Sequence, residues 1–351
     1  MLETGVIGLG KMGMVHMMNC LHIDGVKVTA VADTSKKALN KAKSIGVKNL
    51  YTDYHDLLND FHSSLDAVII SLPNFLHFES IQMALEAGLN VFVEKPLANT
   101  TKECSQIVRL VKESGRKLMI GHCVRFFDAV EKMKEIVDKG HIGKLEVITL
   151  ESIASGPFSH GVIPKPVPEW WFDSEKVGGG ALIDLGYHMI DLFRFFAGDC
   201  DLLFSHLGHK YNLPMEDSAI AMIQSHDSLV KGIVHVGWYE QIIFPQHDFR
   251  VILHGDYGNI STGHFEPSNI YTHAAKEGIK NLFRKIRGKK IKPLAYAYYL
   301  EGFSKELKHF FNCIENDLEH SISAVDGLKT IEVIEEAYRQ AKNSRKSDQD
   351  G

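Results

Sequence analysis

The chain has 351 residues, long for one ordinary domain and comfortable for two. It is 44% hydrophobic and 24% charged, with a formal charge of −5; this excludes a disordered or fibrous chain and argues against a dedicated nucleic-acid binder, which needs a dominant basic face. The five cysteines (Cys20, Cys104, Cys123, Cys200 and Cys313) are widely spaced without a CxxC pair, so neither a disulfide framework nor a metal site is expected, and a reducing cytoplasm fits.

The first 120 residues alternate between strand and helix patterns. Apolar runs at Thr4–Leu9, Val26–Ala32, Ala67–Leu72, Asn90–Val93 and Lys117–Ile120 read as strands covered on both faces. Phe78, Ile81, Leu85 and Gly88 keep helical spacing, as do Ile107, Leu110 and Val111. Strands alternating with helices mean βαβ units and a doubly wound parallel sheet. The pattern changes near residue 122. A helix over Ala129–Lys139 leads to a strand over Leu145–Ile153, then a loop from Ser155 to Pro168, then a helix from Leu182 to Phe196. Strand-like stretches at Leu202–Leu207, Asp217–Gln224, Leu229–Val236, Phe249–Leu253 and Gly258–Ser261 lack helices between them, which predicts an antiparallel sheet. Helices near Glu301–Asn316 and Ala324–Ala341 end the chain. The expected division is 1–122, 123–343 and a tail over 344–351. The N-terminus enters a strand without a signal-peptide pattern, and no apolar run is long enough to span a bilayer, so no membrane partner is expected.

Gly8-Leu9-Gly10-Lys11-Met12-Gly13 follows the first strand and opens a helix. Gly8 permits the tight turn, Gly10 leaves room for a pyrophosphate, and Gly13 lets the helix pack close to the sheet. The helix N-terminus adds its dipole and free N–H groups. Asp33 ends the second strand 20 residues beyond Gly13, where a carboxylate accepts from ribose hydroxyls and repels a 2′-phosphate. NAD is therefore expected ahead of NADP, with Lys36 and Lys37 read as a solvated helix start. Ser71-Leu72-Pro73-Asn74, with His77 further on, should lie against the cofactor, although His77 reads equally as a cap or packing residue.

Glu94-Lys95-Pro96 closes a later strand, at the sheet edge where such folds bind ligands. A lysine there can relay a proton or orient a hydroxyl. Gly178-Gly179-Gly180 precedes Asp184, His188 and Asp191, which would share one helical stripe. A carboxylate beside an imidazole suits a general base for a sugar hydroxyl, and Asp191 could serve only to brace the helix. Arg125 reads equally as a substrate contact or an interdomain ion pair. Trp170-Trp171-Phe172 reads as a lid wall, a stacking platform or core. Lys280–Lys292 carries seven basic residues, usually the mark of a solvated face.

These motifs, in this order, resemble the Gfo/Idh/MocA oxidoreductase family (glucose–fructose oxidoreductase and inositol 2-dehydrogenase) over nearly the whole chain. The resemblance rests on Gly8-x-Gly10-x-x-Gly13, on Ser71-Leu72-Pro73-Asn74 with His77, on Ala87-Gly88-Leu89-Asn90-Val91-Phe92-Val93-Glu94-Lys95-Pro96, and on the glycine triplet leading to Asp184-x-Gly186-x-His188-x-x-Asp191. It implies a Rossmann domain followed by an α/β domain with a large open, mostly antiparallel sheet, often a homodimer or homotetramer. It places Lys95, Asp184 and His188 as catalytic residues, with a hydride leaving a ring carbon for the nicotinamide. Lys95, Arg125, Trp171, Asp184 and His188 would meet a small sugar or polyol substrate. Gly8, Gly10, Lys11, Met12, Gly13, Asp33, Ser71, Leu72, Pro73, Asn74, His77, Glu94 and Lys95 would hold the cofactor. Many members carry Trp-Arg before the glycine triplet, where this chain has Trp170-Trp171; that points to an aromatic wall in place of an anionic contact. Gly121-His122 and the basic run tilt the expectation toward a UDP-N-acetylhexosamine 3-dehydrogenase over an inositol dehydrogenase. A cofactor-retaining glycosidase and a non-catalytic cofactor sensor are the rival readings.

Overall fold

The computed structural model describes residues 1–61, 64–158, 168–239, 247–265, 270–288 and 297–347. The first half runs β1 (Leu2–Ile7), α1 (Lys11–Cys20), β2 (Val26–Ala32), α2 (Lys36–Ser44), β3 (Asn49–Tyr51), α3 (Tyr54–Phe61), β4 (Ala67–Ile70), α4 (His77–Glu86), β5 (Asn90–Glu94), α5 (Thr101–Ser114) and β6 (Leu118–Gly121). All six strands are parallel, in the order β3-β2-β1-β4-β5-β6. That is the doubly wound order whose direction of growth reverses between β1 and β4. Every residue of β4 is buried, as a strand with helices on both faces requires. The helices start and stop where their caps dictate. Ser35 and Thr100 accept backbone N–H groups at the starts of α2 and α5, and Gly115 closes α5 at φ +63°.

The second half runs α6 (Asp128–Asp138), β7 (Leu145–Ala154), α7 (Ser174–Val177), α8 (Tyr187–Ala197), β8 (Cys200–Gly208), β9 (Ser218–Ser225), β10 (Lys231–Trp238), β11 (His247–Gly255), β12 (Gly258–Ser261), α9 (Ile270–Ile286), α10 (Ala297–Glu315) and α11 (Ala324–Ser347). Its sheet has the order β12-β11-β7-β10-β9-β8. The β7–β10 pair is parallel and every other pair antiparallel. β9 alternates buried and outward residues because α8 and α11 cover one face. The last two helices return to the first half: α10 packs on α1, and α11 on α5.

Three elements depart from the expectations. β3 is a three-residue strand with no fully buried position, too short for a periodic signal. α9 occupies a stretch read only as charged; Lys289, Lys290 and Lys292 of that run, and most of the loop between Ser155 and Pro168, lie outside the described residues. The helix expected from Leu182 opens as a π turn over Leu182–Gly186 before α8 begins.

Candidate active site

Gly8 and Ser71 sit side by side at the carboxyl ends of β1 and β4, where the sheet order reverses. Gly8 has φ +85°, and a Cβ there would stand 2.5 Å from the Ser71 carbonyl oxygen. A Cβ on Gly13 would stand 1.8 Å from the Gly8 carbonyl oxygen. These two glycines therefore serve the fold itself. Gly10 differs: a Cβ on it would meet no atom within 4 Å. The space above Gly10 is what a pyrophosphate needs, and the first-turn N–H groups of Lys11 and Met12 have no helical carbonyl to meet. Asp33 accepts the Leu9 N–H at 2.6 Å on Oδ2 and the Ser35 N–H at 2.7 Å on Oδ1. Each oxygen retains a lone pair for a ribose hydroxyl. Ser71 Oγ is buried and meets no hydrogen-bond partner. An uncapped helix start, open space and an orphaned hydroxyl at one crevice fit a dinucleotide.

Beyond Ser71, the side chains of Asn74, His77 and Glu94 make contacts within the protein. Asn74 Nδ2 donates to the Val177 carbonyl at 2.9 Å, tying the crevice to the glycine triplet. His77 is fully buried, with Nδ1 2.7 Å from the Pro96 carbonyl and Nε2 2.9 Å from that of Leu72. It thus joins the loops after β4 and β5. Burial lowers the basicity of His77 below the ordinary imidazole range, and a neutral ring donates to one of the two carbonyls. Glu94 Oε1 lies 2.6 Å from His16 Nε2. Burial alone would raise the Glu94 carboxyl, but His16 and Lys95 hold it below its usual range.

Lys95 follows Glu94 directly, and its peptide bond to Pro96 is cis. Lys95 Nζ donates to Asp184 Oδ1 at 2.9 Å and to the Asp184 carbonyl at 2.8 Å. Trp238 Nε1, at the end of β10, donates to Asp184 Oδ2 at 3.2 Å. Burial would raise this carboxyl as well; the Lys95 ammonium first, then His188 and the Trp238 N–H, outweigh it and keep Asp184 ionised. The Trp171 ring lies 5.2 Å from the fully buried Trp238 ring, so Trp171 forms part of an aromatic wall behind the carboxylate.

Asp184, His188 and Asp191 do not act as one stripe. The π turn adds a residue between the carboxylate and α8; Asp184 turns to Lys95, while His188 and Asp191 both lie against His122. His188 Nδ1 lies 3.3 Å from Nε2 of the fully buried His122. Asp191 Oδ2 approaches His122 Nδ1 at 3.2 Å, off hydrogen-bond geometry. Burial first, then the charges of Arg125 and Lys95, hold His122 neutral, well below the ordinary imidazole range. Arg125 donates from Nε and Nη2 to both Asp191 oxygens at 2.6 Å and from Nη1 to the Ser321 carbonyl at 2.9 Å. Arg125 is thus held in a buried ion pair, but Asp191 lies in the same expected domain, 123–343, so the pair is not the interdomain one that the sequence suggested.

Several contributors escaped sequence reasoning. Glu216, far along the chain, accepts the Gly180 N–H at 2.9 Å, the Leu182 N–H at 3.0 Å and the Tyr338 hydroxyl at 2.8 Å on one oxygen. A Cβ on Gly179 would stand 2.0 Å from the Tyr338 hydroxyl, which accounts for the glycine there. Trp238, Glu216 and Tyr338 carry no local motif that would have singled them out, and the sequence marks His122 only within Gly121-His122, with no sign that it meets His188. Among the described residues no cluster of His, Cys, Asp or Glu could hold a metal ion.

Two family models cover the chain. The NAD-binding Rossmann fold of the Gfo/Idh/MocA oxidoreductase family matches residues 2–122, and the family's C-terminal α/β domain matches 134–348. The chain is 28% identical to the NAD⁺-dependent scyllo-inositol 2-dehydrogenase of Bacillus subtilis, covering 95% of this chain and 92% of that one. It is 25% identical to the inositol 2-dehydrogenase of Rhizobium meliloti over 98% of each. A probable dehydrogenase from Thermotoga maritima shares the fold at a TM-score of 0.79 and 23% identity, covering 98% of this chain and 97% of that one. The scyllo-inositol dehydrogenase of Lactobacillus casei, solved with NAD(H) and scyllo-inositol, does so at 0.75 and 23%, covering 97% of each. With the glycine cradle, Asp33 and the Lys95–Asp184 pair in place, the chain belongs to the Gfo/Idh/MocA family of NAD-dependent oxidoreductases acting on CH–OH groups.

Proposed function

We propose that this protein oxidises a secondary alcohol on the ring of a cyclic polyol or sugar, in the cytoplasm, with an inositol as the first substrate class to test. The observation that carries this reading is the meeting of Lys95 with Asp184, beside the His188–His122 pair, at the carboxyl edge of the Rossmann sheet. The near-full-length relatedness to inositol 2-dehydrogenases supports the substrate class.

The bound nicotinamide supplies the hydride acceptor. The carbinol carbon gives up the hydride while its hydroxyl gives up a proton. His188 is assigned as the base, and the neighbouring groups set its tautomer. Asp191 near His122 Nδ1 favours a proton on that nitrogen, which leaves His122 Nε2 to accept from His188 Nδ1. In that tautomer the basic lone pair of His188 is on Nε2. Lys95 holds an ammonium near the hydroxyl and favours its alkoxide character, while Asp184 and Trp238 fix the position of the ammonium. Asn74 and His77 are positioning residues that keep the two crevice loops in register.

The UDP-N-acetylhexosamine reading rested partly on His122, whose ring lies buried beside His188. That burial shifts the weight toward a free polyol or sugar. The outward row Phe204, Met222 and Ile233, in register across β8, β9 and β10, supports a homodimer or homotetramer built on the sheet face. A monomeric mass by light scattering would remove that part of the proposal.

The test is to incubate the protein with NAD⁺ and, separately, NADP⁺ across inositols, free hexoses, hexose phosphates and UDP-hexosamines, following the absorbance of reduced cofactor. A rise with NAD⁺ and an inositol or hexose is expected. A rise with UDP-hexosamines alone would transfer the proposal to nucleotide sugars. Tight NAD⁺ binding with released sugar and no net reduction would replace it with the cofactor-retaining glycosidase.

A further inference from the structure

α9 turns an apolar stripe outward. Ile279, Leu282, Phe283 and Ile286 follow the i, i+3, i+4, i+7 spacing of one helix face, and their exposures are 60%, 60%, 56% and 74%. The opposite side is the one that packs: Asn281 is buried, and α9 contacts α10. Four large apolar side chains in one row exceed the scattered exposed residues of an ordinary surface. The borders of the stripe are basic. Over residues 270–288 the sequence holds Lys276, Lys280, Arg284, Lys285 and Arg287 against one acid, Glu277, in a chain whose formal charge is −5. Lys285 flanks one border, and Lys276, Lys280 and Arg287 flank the other. Gly288 ends the helix at φ +66°.

We infer that α9 docks the protein on an anionic lipid surface. The stripe enters the boundary between headgroups and acyl chains, and the flanking lysines and arginines lie over lipid phosphates. The charges select this occupant. A second copy laid on the same face about a two-fold axis would set two basic helices against each other. A nucleic acid would meet the cations, but the apolar row would gain nothing from it. Helices of this kind lie on a membrane and do not cross it, consistent with the absence, among the described residues, of any helix long and apolar enough to span one. The expectation of no membrane partner rests on the lack of a spanning segment, which leaves open a helix such as α9 that lies on the surface.

The full chain is mixed with large unilamellar vesicles of phosphatidylcholine alone or phosphatidylcholine with phosphatidylglycerol, and bound protein is measured by co-sedimentation. Binding to the anionic vesicles alone is expected, weakening as salt is raised. Two double variants, L282S/F283S and K285E/R287E, should each lose at least about tenfold in partitioning while keeping the parent's thermal transition and NAD⁺ affinity. Equal binding to both vesicle types, or variants that sediment like the parent, would overturn the inference. So would a fall in solution mass for L282S/F283S without vesicle binding by the parent, which would assign the stripe to a second copy.

Discussion

At the β1–β4 edge, most groups that face the cofactor space are backbone atoms and glycines drawn from two short segments. Around Asp184 they are side chains delivered from β5, from the end of β6, from the π turn with α8 and from the end of β10. The first region derives its shape from what a Cβ would obstruct. The second depends on buried polar groups that must satisfy one another, because an unpaired charge in such a place is costly. A cradle of the first kind should fail by steric collision, and a pocket of the second kind by the loss of one partner.

The largest expected effect is chemical. His188→Ala and Lys95→Ala should each lower kcat by about 10²–10⁴-fold, the usual contribution of a positioned acid or base, while NAD⁺ affinity, measured by fluorescence titration, changes far less. Full turnover at saturating substrate in either variant would refute the assigned roles. Next is the buried ion pair. Arg125→Met leaves Asp191 charged and buried, and breaking such a pair costs about 3–5 kcal/mol. A urea midpoint within error of wild type would mean that water reaches Asp191.

The cradle can be divided by two alanines. Gly13→Ala places a methyl 1.8 Å from a backbone oxygen, and about 2 kcal/mol or more of stability should be lost as α1 moves off the sheet. Gly10→Ala meets open space at φ −61°, so stability should stay within about 0.5 kcal/mol. NAD⁺ binding should nevertheless weaken, because the methyl takes the pyrophosphate's place. Calorimetric melting and cofactor titration on both proteins separate the effects; unchanged NAD⁺ affinity in Gly10→Ala would remove Gly10 from the cofactor site.

The same division governs what could be read from the sequence. The cradle was legible because its determinants are local: Gly8, Gly10 and Gly13 lie within one turn, and Asp33 ends the next strand of the sheet. Lys95 and Asp184 were legible as motif members. Their partners were not, since Trp238 reaches Asp184 from 54 residues away and His122 reaches His188 from 66. Nor does a sequence announce a π turn: Asp184 and His188 keep i,i+4 spacing in the chain while the helix phase between them changes. α9 was missed for a different reason. Its apolar face is not buried, so the basic residues dominate its appearance.

The pocket should also show itself in the pH dependence of stability. His77 and His122 are both less basic folded than unfolded, because burial disfavours the cation. A folded value below the unfolded one means stability that is full above about pH 6.5 and declines as pH falls and the unfolded chain takes up protons that the folded rings refuse. Urea midpoints should therefore fall between about pH 7 and pH 5, and His122→Asn should shallow that slope. An equal slope in the variant would mean that His122 takes up its proton as readily in the fold as in the unfolded chain.

The smallest expected effect runs in the opposite direction. Glu306, on α10, is fully buried, and neither carboxyl oxygen makes a hydrogen bond of ordinary geometry. Burial first, and the Glu94 charge second, push its carboxyl well above the usual range, so the folded protein holds the proton where the unfolded chain has begun to release it. Because the folded value is raised, the contribution of Glu306 is full below the unfolded value and is lost as pH rises toward the folded one. Glu306→Gln removes that titration while keeping the shape. The variant should match wild type near pH 5 and gain on it progressively toward pH 8, in urea midpoints measured at constant ionic strength. A difference that does not widen with pH would mean that Glu306 ionises without penalty, and that the pocket between α1, β5 and α10 holds enough water to solvate it.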